Sequence, residues 1–153
     1  MKIYPFPAED KNNPFLRELY RHIEGVTPTS LWNIRTPGII HIHWSIILYG
    51  SKWALKSLVL IKVNFLRLLF LKTFRGCKII WTMHNYYAHD YPHHWIDRLG
   101  RRLLFALADV IIIQQKTAQE VFAKNIPAKT LYIFPWEIIS AYTDPPSPQH
   151  TKR

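Results

Sequence analysis

The chain has 153 residues, 48% hydrophobic, 20% charged and 14% aromatic, with 11 prolines and 5 glycines. That suits one folded domain and excludes a disordered tail, a collagen or a glycine-rich linker. Lysines and arginines outnumber acids 20 to 10, for a net charge of +10, which points to an anionic partner such as a membrane surface, a nucleic acid or a phosphorylated substrate. The excess is concentrated: no acid lies between Glu24 and Asp90, whereas Arg35, Lys52, Lys56, Lys62, Arg67, Lys72, Arg75 and Lys78 all do.

Cys77 is the only cysteine, so this chain alone builds neither an internal disulfide nor a cysteine-based zinc site, and a reducing compartment is consistent. MKIYPFPAED has no long apolar segment of the secretory type, and a cytoplasmic location is expected. The uncharged stretch 36–51 is short and interrupted, and 52–75 is repeatedly charged. Neither supplies the roughly 20 predominantly apolar residues of a membrane span.

Residues 2–6 (KIYPF) read as a short first strand limited by Pro5, because proline removes a ladder donor. Asn13 as N-cap and Pro14 at the first helical position open a helix over 14–24, with Phe15, Leu16, Leu19, Tyr20 and Ile23 on one face and Gly25 at its stop. Residues 31–34 suggest a strand, and 38–44 (GIIHIHW) suggest a better one. The segment 52–75 suits a long helix whose basic residues reach past apolar neighbours to water. Its aromatics Trp53, Phe65, Phe70 and Phe74 are expected in the core.

Residues 77–83 (CKIIWTM) read as a buried strand, with Cys77 an inert thiol. Trp95, Ile96, Leu99, Leu103, Ala106 and Leu107 recur at helical spacing, and Ala108-Asp109 ends that helix. A strand at 110–113, a helix at 115–124 and a strand at 131–134 follow. Strands and helices in alternation, with near-continuous apolar strands, predict an α/β domain over 1–143 whose parallel sheet carries helices on both faces. Residues 144–153 are polar and proline-rich, a linker-like tail.

In open parallel sheets ligands bind outside the carboxyl ends of the strands. Those ends carry His41, His43 and Trp44 after one strand and His84, Asn85, Tyr86 and Tyr87 after the next, followed by His89, Asp90, His93 and His94. His41 and His43 share a strand face. Imidazole suits transition metals, yet the helical zinc-enzyme spacings are missing and Asp90 is the one local carboxylate. Packed or solvated histidines are the plainer reading of His41, His93 and His94. The sequence has no nucleophile elbow, Walker loop or dinucleotide fingerprint. It therefore indicates no cofactor and no metal.

The segments NPFLRELYRHIEG, GIIHIHW, RGCKIIWTMHNYYAHD and ADVIIIQQKTAQEVF, in that order over most of residues 1–143, resemble the amino-terminal domain of GT-B glycosyltransferases, in a family 4-like bacterial branch of polysaccharide synthesis. The departures are Ala88 in place of a usual proline and Phe134-Pro135-Trp136 in place of Pro-His-Gly or Pro-Asn-Gly. The resemblance implies a Rossmann-like domain, one half of a GT-B fold, that binds the acceptor, with catalysis in a cleft facing a donor-binding carboxy-terminal domain. That second domain is expected to be absent from these residues, making the chain a truncated product or one subunit of a split enzyme, incomplete alone.

By the same resemblance His84 contacts the donor sugar, Asn85 is its neighbour, and His43 and Trp44 belong to the cleft wall. The implied partners are a nucleotide-sugar donor, a glycan or lipid-linked acceptor and a separate donor-domain subunit. Retention of configuration is implied. An inverting reaction needs a general base, and Asp90 is the one carboxylate the sequence places near the cleft, against its plainer reading as a solvated loop acid. The acid-free basic stretch beside leucines adds an anionic membrane surface as a partner, hence a peripheral location on the inner face of the plasma membrane. The alternative is a noncatalytic basic α/β module on membrane or nucleic acid, with nucleic acid the less favoured of the two.

Overall fold

The computed structural model describes residues 1–8, 14–84, 91–113 and 131–133, the last three and residues 14 and 15 through their backbone alone. Five parallel strands form one sheet: β1 (Lys2–Phe6), β2 (Gly38–Ile42), β3 (Lys78–Met83), β4 (Val110–Ile113) and β5 (Leu131–Ile133), ordered β1-β2-β3-β4-β5. Among the described residues three α-helices alternate with them: α1 (Pro14–Tyr20), α2 (Ala54–Arg75) and α3 (His94–Leu107). The expected α/β alternation is present, while the helix expected over 115–124 and the tail 144–153 lie outside the described residues.

A further pairing makes the topology less simple than that order. Val26 bridges Ile3 in parallel, with Ile3 N–H donating to the Gly25 carbonyl (3.0 Å) and Thr27 N–H to the Ile3 carbonyl (2.8 Å). Ile3 also opposes Ile39 across β2, so 25–27 lies along the other edge of β1. After β1 the chain visits one side of that strand, returns past it, and then builds outward through β2 to β5. The order therefore reverses between β1 and β2.

That edge pairing also corrects the length of α1, expected to reach residue 24. After Tyr20 the bonds tighten to Arg21 N–H on Glu18 (3.3 Å) and Ile23 N–H on Tyr20 (3.2 Å), and the chain leaves the helix to reach β1. Gly25 makes the turn at φ 83°, where a Cβ would lie 2.5 Å from the Met1 carbonyl oxygen. The strand expected at 31–34 is instead a 3₁₀ turn, Leu31–Asn33. Its carbonyls find a side chain rather than a ladder: Arg67 donates to Leu31 (3.1 Å), Trp32 (3.2 Å) and Ile34 (3.1 Å).

α2 ends at Gly76, in the left-handed region at φ 65°, and its N–H returns to the Leu71 carbonyl. Cys77 is buried beside it. The main core lies on the sheet face carrying Ile40, Ile42, Ile79, Trp81, Met83, Ile111 and Ile113, packed with Ile61, Phe65, Leu68 and Leu71 of α2 and Ile96 and Leu104 of α3. Phe105 meets the Trp81 ring edge-on at 4.9 Å. Tyr20 of α1 reaches His41 on the opposite face, and helix side chains thus meet the sheet from both sides.

Two expectations for α2 fail. Phe65 is core, but Trp53, Phe70 and Phe74 are exposed: Phe70 and Phe74 lie on the side of the helix turned from the sheet, and Trp53 precedes its first turn. Nor do all its basic residues run to water. Besides Arg67, Lys72 Nζ donates to the Leu107 carbonyl (2.6 Å) and pairs with Asp109 (2.9 Å), and Arg75 donates to the Arg35 carbonyl (3.1 Å). Among the described residues no helix is long and apolar enough to cross a membrane.

Candidate functional site

The reversal between β1 and β2 is a topological switch point, where the crevice at the carboxyl ends of a parallel sheet admits ligands. His43 continues the ladder there, its N–H donating to the Phe6 carbonyl at 3.0 Å. His84 follows β3 directly, and the Trp44 indole lies against its imidazole with ring centroids 4.9 Å apart and planes 18° apart. Adjacent parallel strands thus bring His43, Trp44 and His84 together. Asn85 and Asp90 lie outside the described residues.

The three gathered residues differ in exposure. Trp44 and His84 are partly open, whereas His43 is only 1% exposed. His43 stands behind the wall rather than on it, and its Nδ1 is 3.3 Å from His84 Nε2. Its other nitrogen, Nε2, lies 2.7 Å from the Tyr20 hydroxyl. The same hydroxyl lies 2.6 Å from His41 Nδ1, and His41 Nε2 lies 2.8 Å from the Thr82 hydroxyl. The strand pleat puts His41 and Thr82 on one face, since His41 opposes Ile80 and Thr82 is two residues on.

A five-membered chain results: His84, His43, Tyr20, His41, Thr82. Burial, with the neighbouring imidazoles His41 and His84, pushes His43 down to about 2, and burial with His84 pushes His41 down to about 4. Both are therefore neutral near pH 7, each with one N–H and one acceptor nitrogen. Burial pushes the Tyr20 phenol up, so it keeps its proton. If His84 Nε2 donates, His43 donates onward from Nε2, Tyr20 to His41, and His41 to Thr82; if His84 accepts, every bond reverses. The direction of the His84–His43 bond thus fixes one of two proton orders along the whole chain.

The chemistry open to this arrangement is proton donation or acceptance at His84 and stacking on Trp44. Metal binding fits poorly: both nitrogens of His41 and both of His43 face the partners just named, and no three His, Cys, Asp or Glu among the described residues form a group that could hold an ion. Comparison with known protein families, curated proteins and solved structures finds no match. The site therefore rests on its own geometry.

Tyr20 and Thr82 were not among the residues singled out in the sequence. Tyr20 occurs at core spacing on α1 and Thr82 lies within an apolar strand, where neither shows a polar pattern. Asp97 also gave no signal, although it is 2% exposed and holds Tyr49 Oη (2.5 Å) and Arg101 Nε (2.9 Å).

Proposed function

We propose that the chain is the acceptor-side half of a GT-B glycosyltransferase, a Rossmann-like domain that meets a donor-side domain across the carboxyl ends of its strands. The observation that supports it is the convergence of His84 and Trp44 at the carboxyl ends of β2 and β3, beside the β1–β2 switch point, with His84 joined to a buried neutral hydrogen-bond chain. A sugar ring is a set of hydroxyls on a partly apolar frame. An indole face packs against that frame, and an imidazole bonds a hydroxyl as donor or acceptor according to its tautomer.

In this reading His84 contacts the donor sugar, Trp44 lines the acceptor side, and His43 positions His84. Asn85, next to His84 in the sequence, is the further substrate-binding residue of this reading. Asp90 is the base if the reaction inverts configuration. The donor is a nucleotide sugar and the acceptor a glycan or a lipid-linked saccharide. No step requires a cofactor from this half.

The test combines the full chain with a candidate donor-side domain, radiolabelled nucleotide sugars and polyprenyl-linked acceptors. His84→Gln retains a polar atom near Nε2 to meet His43 but loses the imidazole. Transfer is expected to fall by about 100-fold, the scale of one positioned hydrogen bond at the reacting group, with an unchanged melting temperature. Transfer equal to wild type would remove His84 from the reaction.

A further inference from the structure

α2 is apolar on both sides. Its inward face is Ser57, Ile61, Phe65, Leu68 and Leu71, and these fill the core. At 100° per residue Leu55, Val59, Val63, Leu66, Phe70 and Phe74 fall within an arc of about 100° on the other side. They are exposed, Leu55 by 76%, Val59 by 54%, Leu66 by 57% and Phe74 by 75%. From Leu55 to Phe74 this stripe runs for about 28 Å. A helix apolar all round is ordinarily covered all round, and here only the inward half is.

The margins identify the cover. Lys62 flanks the stripe on one side and Lys56 on the other, both exposed, and neither has an ion-pair partner among the described residues. Trp53 and Lys52 stand exposed at the amino end. The acid-free stretch from 25 to 89 contains the entire helix. Two copies pressed together along this face would bring like charges together. A nucleic acid would find Arg67, Lys72 and Arg75 already donating to backbone carbonyls, and a stripe in which four of the six side chains, Leu55, Val59, Val63 and Leu66, are aliphatic and offer no stacking surface.

We infer that α2 lies flat on an anionic lipid bilayer, its Leu55-to-Phe74 stripe sunk among the acyl chains and Lys52, Lys56 and Lys62 at the headgroups. An apolar face between basic margins has the composition of an interfacial helix. Apolar insertion supplies the holding force and the lysines select anionic lipid. This surface is separate from the His84 crevice, and its occupancy does not depend on sugar transfer.

Sedimentation of the full chain with phosphatidylcholine vesicles, with and without about 30% phosphatidylglycerol, tests this at about 0.1 M and about 0.5 M salt. Wild type is expected to pellet with the anionic vesicles at least about tenfold more strongly than with neutral ones at low salt, the preference shrinking at high salt. The combined Leu55→Ser, Val59→Ser and Leu66→Ser variant should lose binding at least about tenfold with its melting temperature unchanged, since the three residues touch water. Lys56→Gln with Lys62→Gln should lose the anionic preference and keep the weaker neutral binding. Brominated acyl chains should quench Trp53, as judged against Trp53→Phe. The inference is overturned if wild type stays in the supernatant of both vesicle types, if the serine variant pellets like wild type, or if the serine changes abolish self-association or nucleic-acid binding instead. Failure here leaves the His84 proposal standing, and the reverse also holds.

Discussion

Acidification from about pH 7 to about pH 5 should destabilise the fold through His41 and His43. A histidine whose folded pKa is lowered binds fewer protons folded than unfolded, so stability is full above the unfolded value near 6.5 and drains as pH falls below it. The loss continues down to the folded values, about 4 for His41 and about 2 for His43. At about pH 5 both are still neutral in the fold while the unfolded chain is almost fully protonated, which costs about 2 kcal/mol per histidine and about 4 kcal/mol for the pair. Asp109 does not contribute in this window. Burial pushes its carboxyl up, but the Ile79 amide and Lys72 outweigh that and hold it below its usual value, so its stabilisation is lost only below about pH 4.

Urea denaturation at the two pH values measures the difference, with His43→Gln as the control. Glutamine removes one of the two titrations, and the pH-dependent loss should shrink by about 2 kcal/mol. Equal losses in wild type and His43→Gln would refute the buried, neutral state of His43 on which the chain of hydrogen bonds depends.

Tyr20→Phe withdraws the hydroxyl shared by His41 and His43 and should cost about 2 to 4 kcal/mol in urea denaturation; less than about 1 kcal/mol would mean that the three groups are not joined. Asp97→Ala breaks a buried pair with Arg101 and removes the nearer of Tyr49's two acceptors, for an expected loss of about 3 to 5 kcal/mol by the same measurement. Gly100→Ala raises helix propensity by about 1 kcal/mol, yet its Cβ would lie 2.3 Å from Tyr49 Cε1. Because that ring is buried and pinned by Ser45 and Asp97, the melting temperature should fall rather than rise.

The parallel sheet was legible because β2, β3 and β4 are near-continuous isoleucine-rich runs, and few folds other than a sheet covered on both faces bury such runs. His43, Trp44 and His84 were legible because the carboxyl ends of parallel strands attract ligands whatever the ligand is. Tyr20 was not, since a tyrosine at core spacing looks the same whether its hydroxyl meets water or two imidazoles. The segment 31–34 misled because its apolar Leu31 and Ile34 are indeed buried, but against α2 rather than in a ladder. Periodicity along one helix could not say that α2 has two apolar sides and that one of them is left exposed.

The fork of Arg67 also bears on the order in which the fold assembles. Residues 31–34 lie within the return of the chain from the 25–27 edge to β2, and three of their carbonyls rest on an arginine that comes more than thirty residues later. Until α2 has formed and docked, that return has no partners for those groups, and the contact must close a long loop before it repays the entropy. The units from β2 onward join strands that are successive in the chain and can settle first. Pulse-labelled hydrogen exchange should therefore show β3 and β4 protected before β1, making the switch-point crevice, with its histidines, the last part of the molecule to come into being.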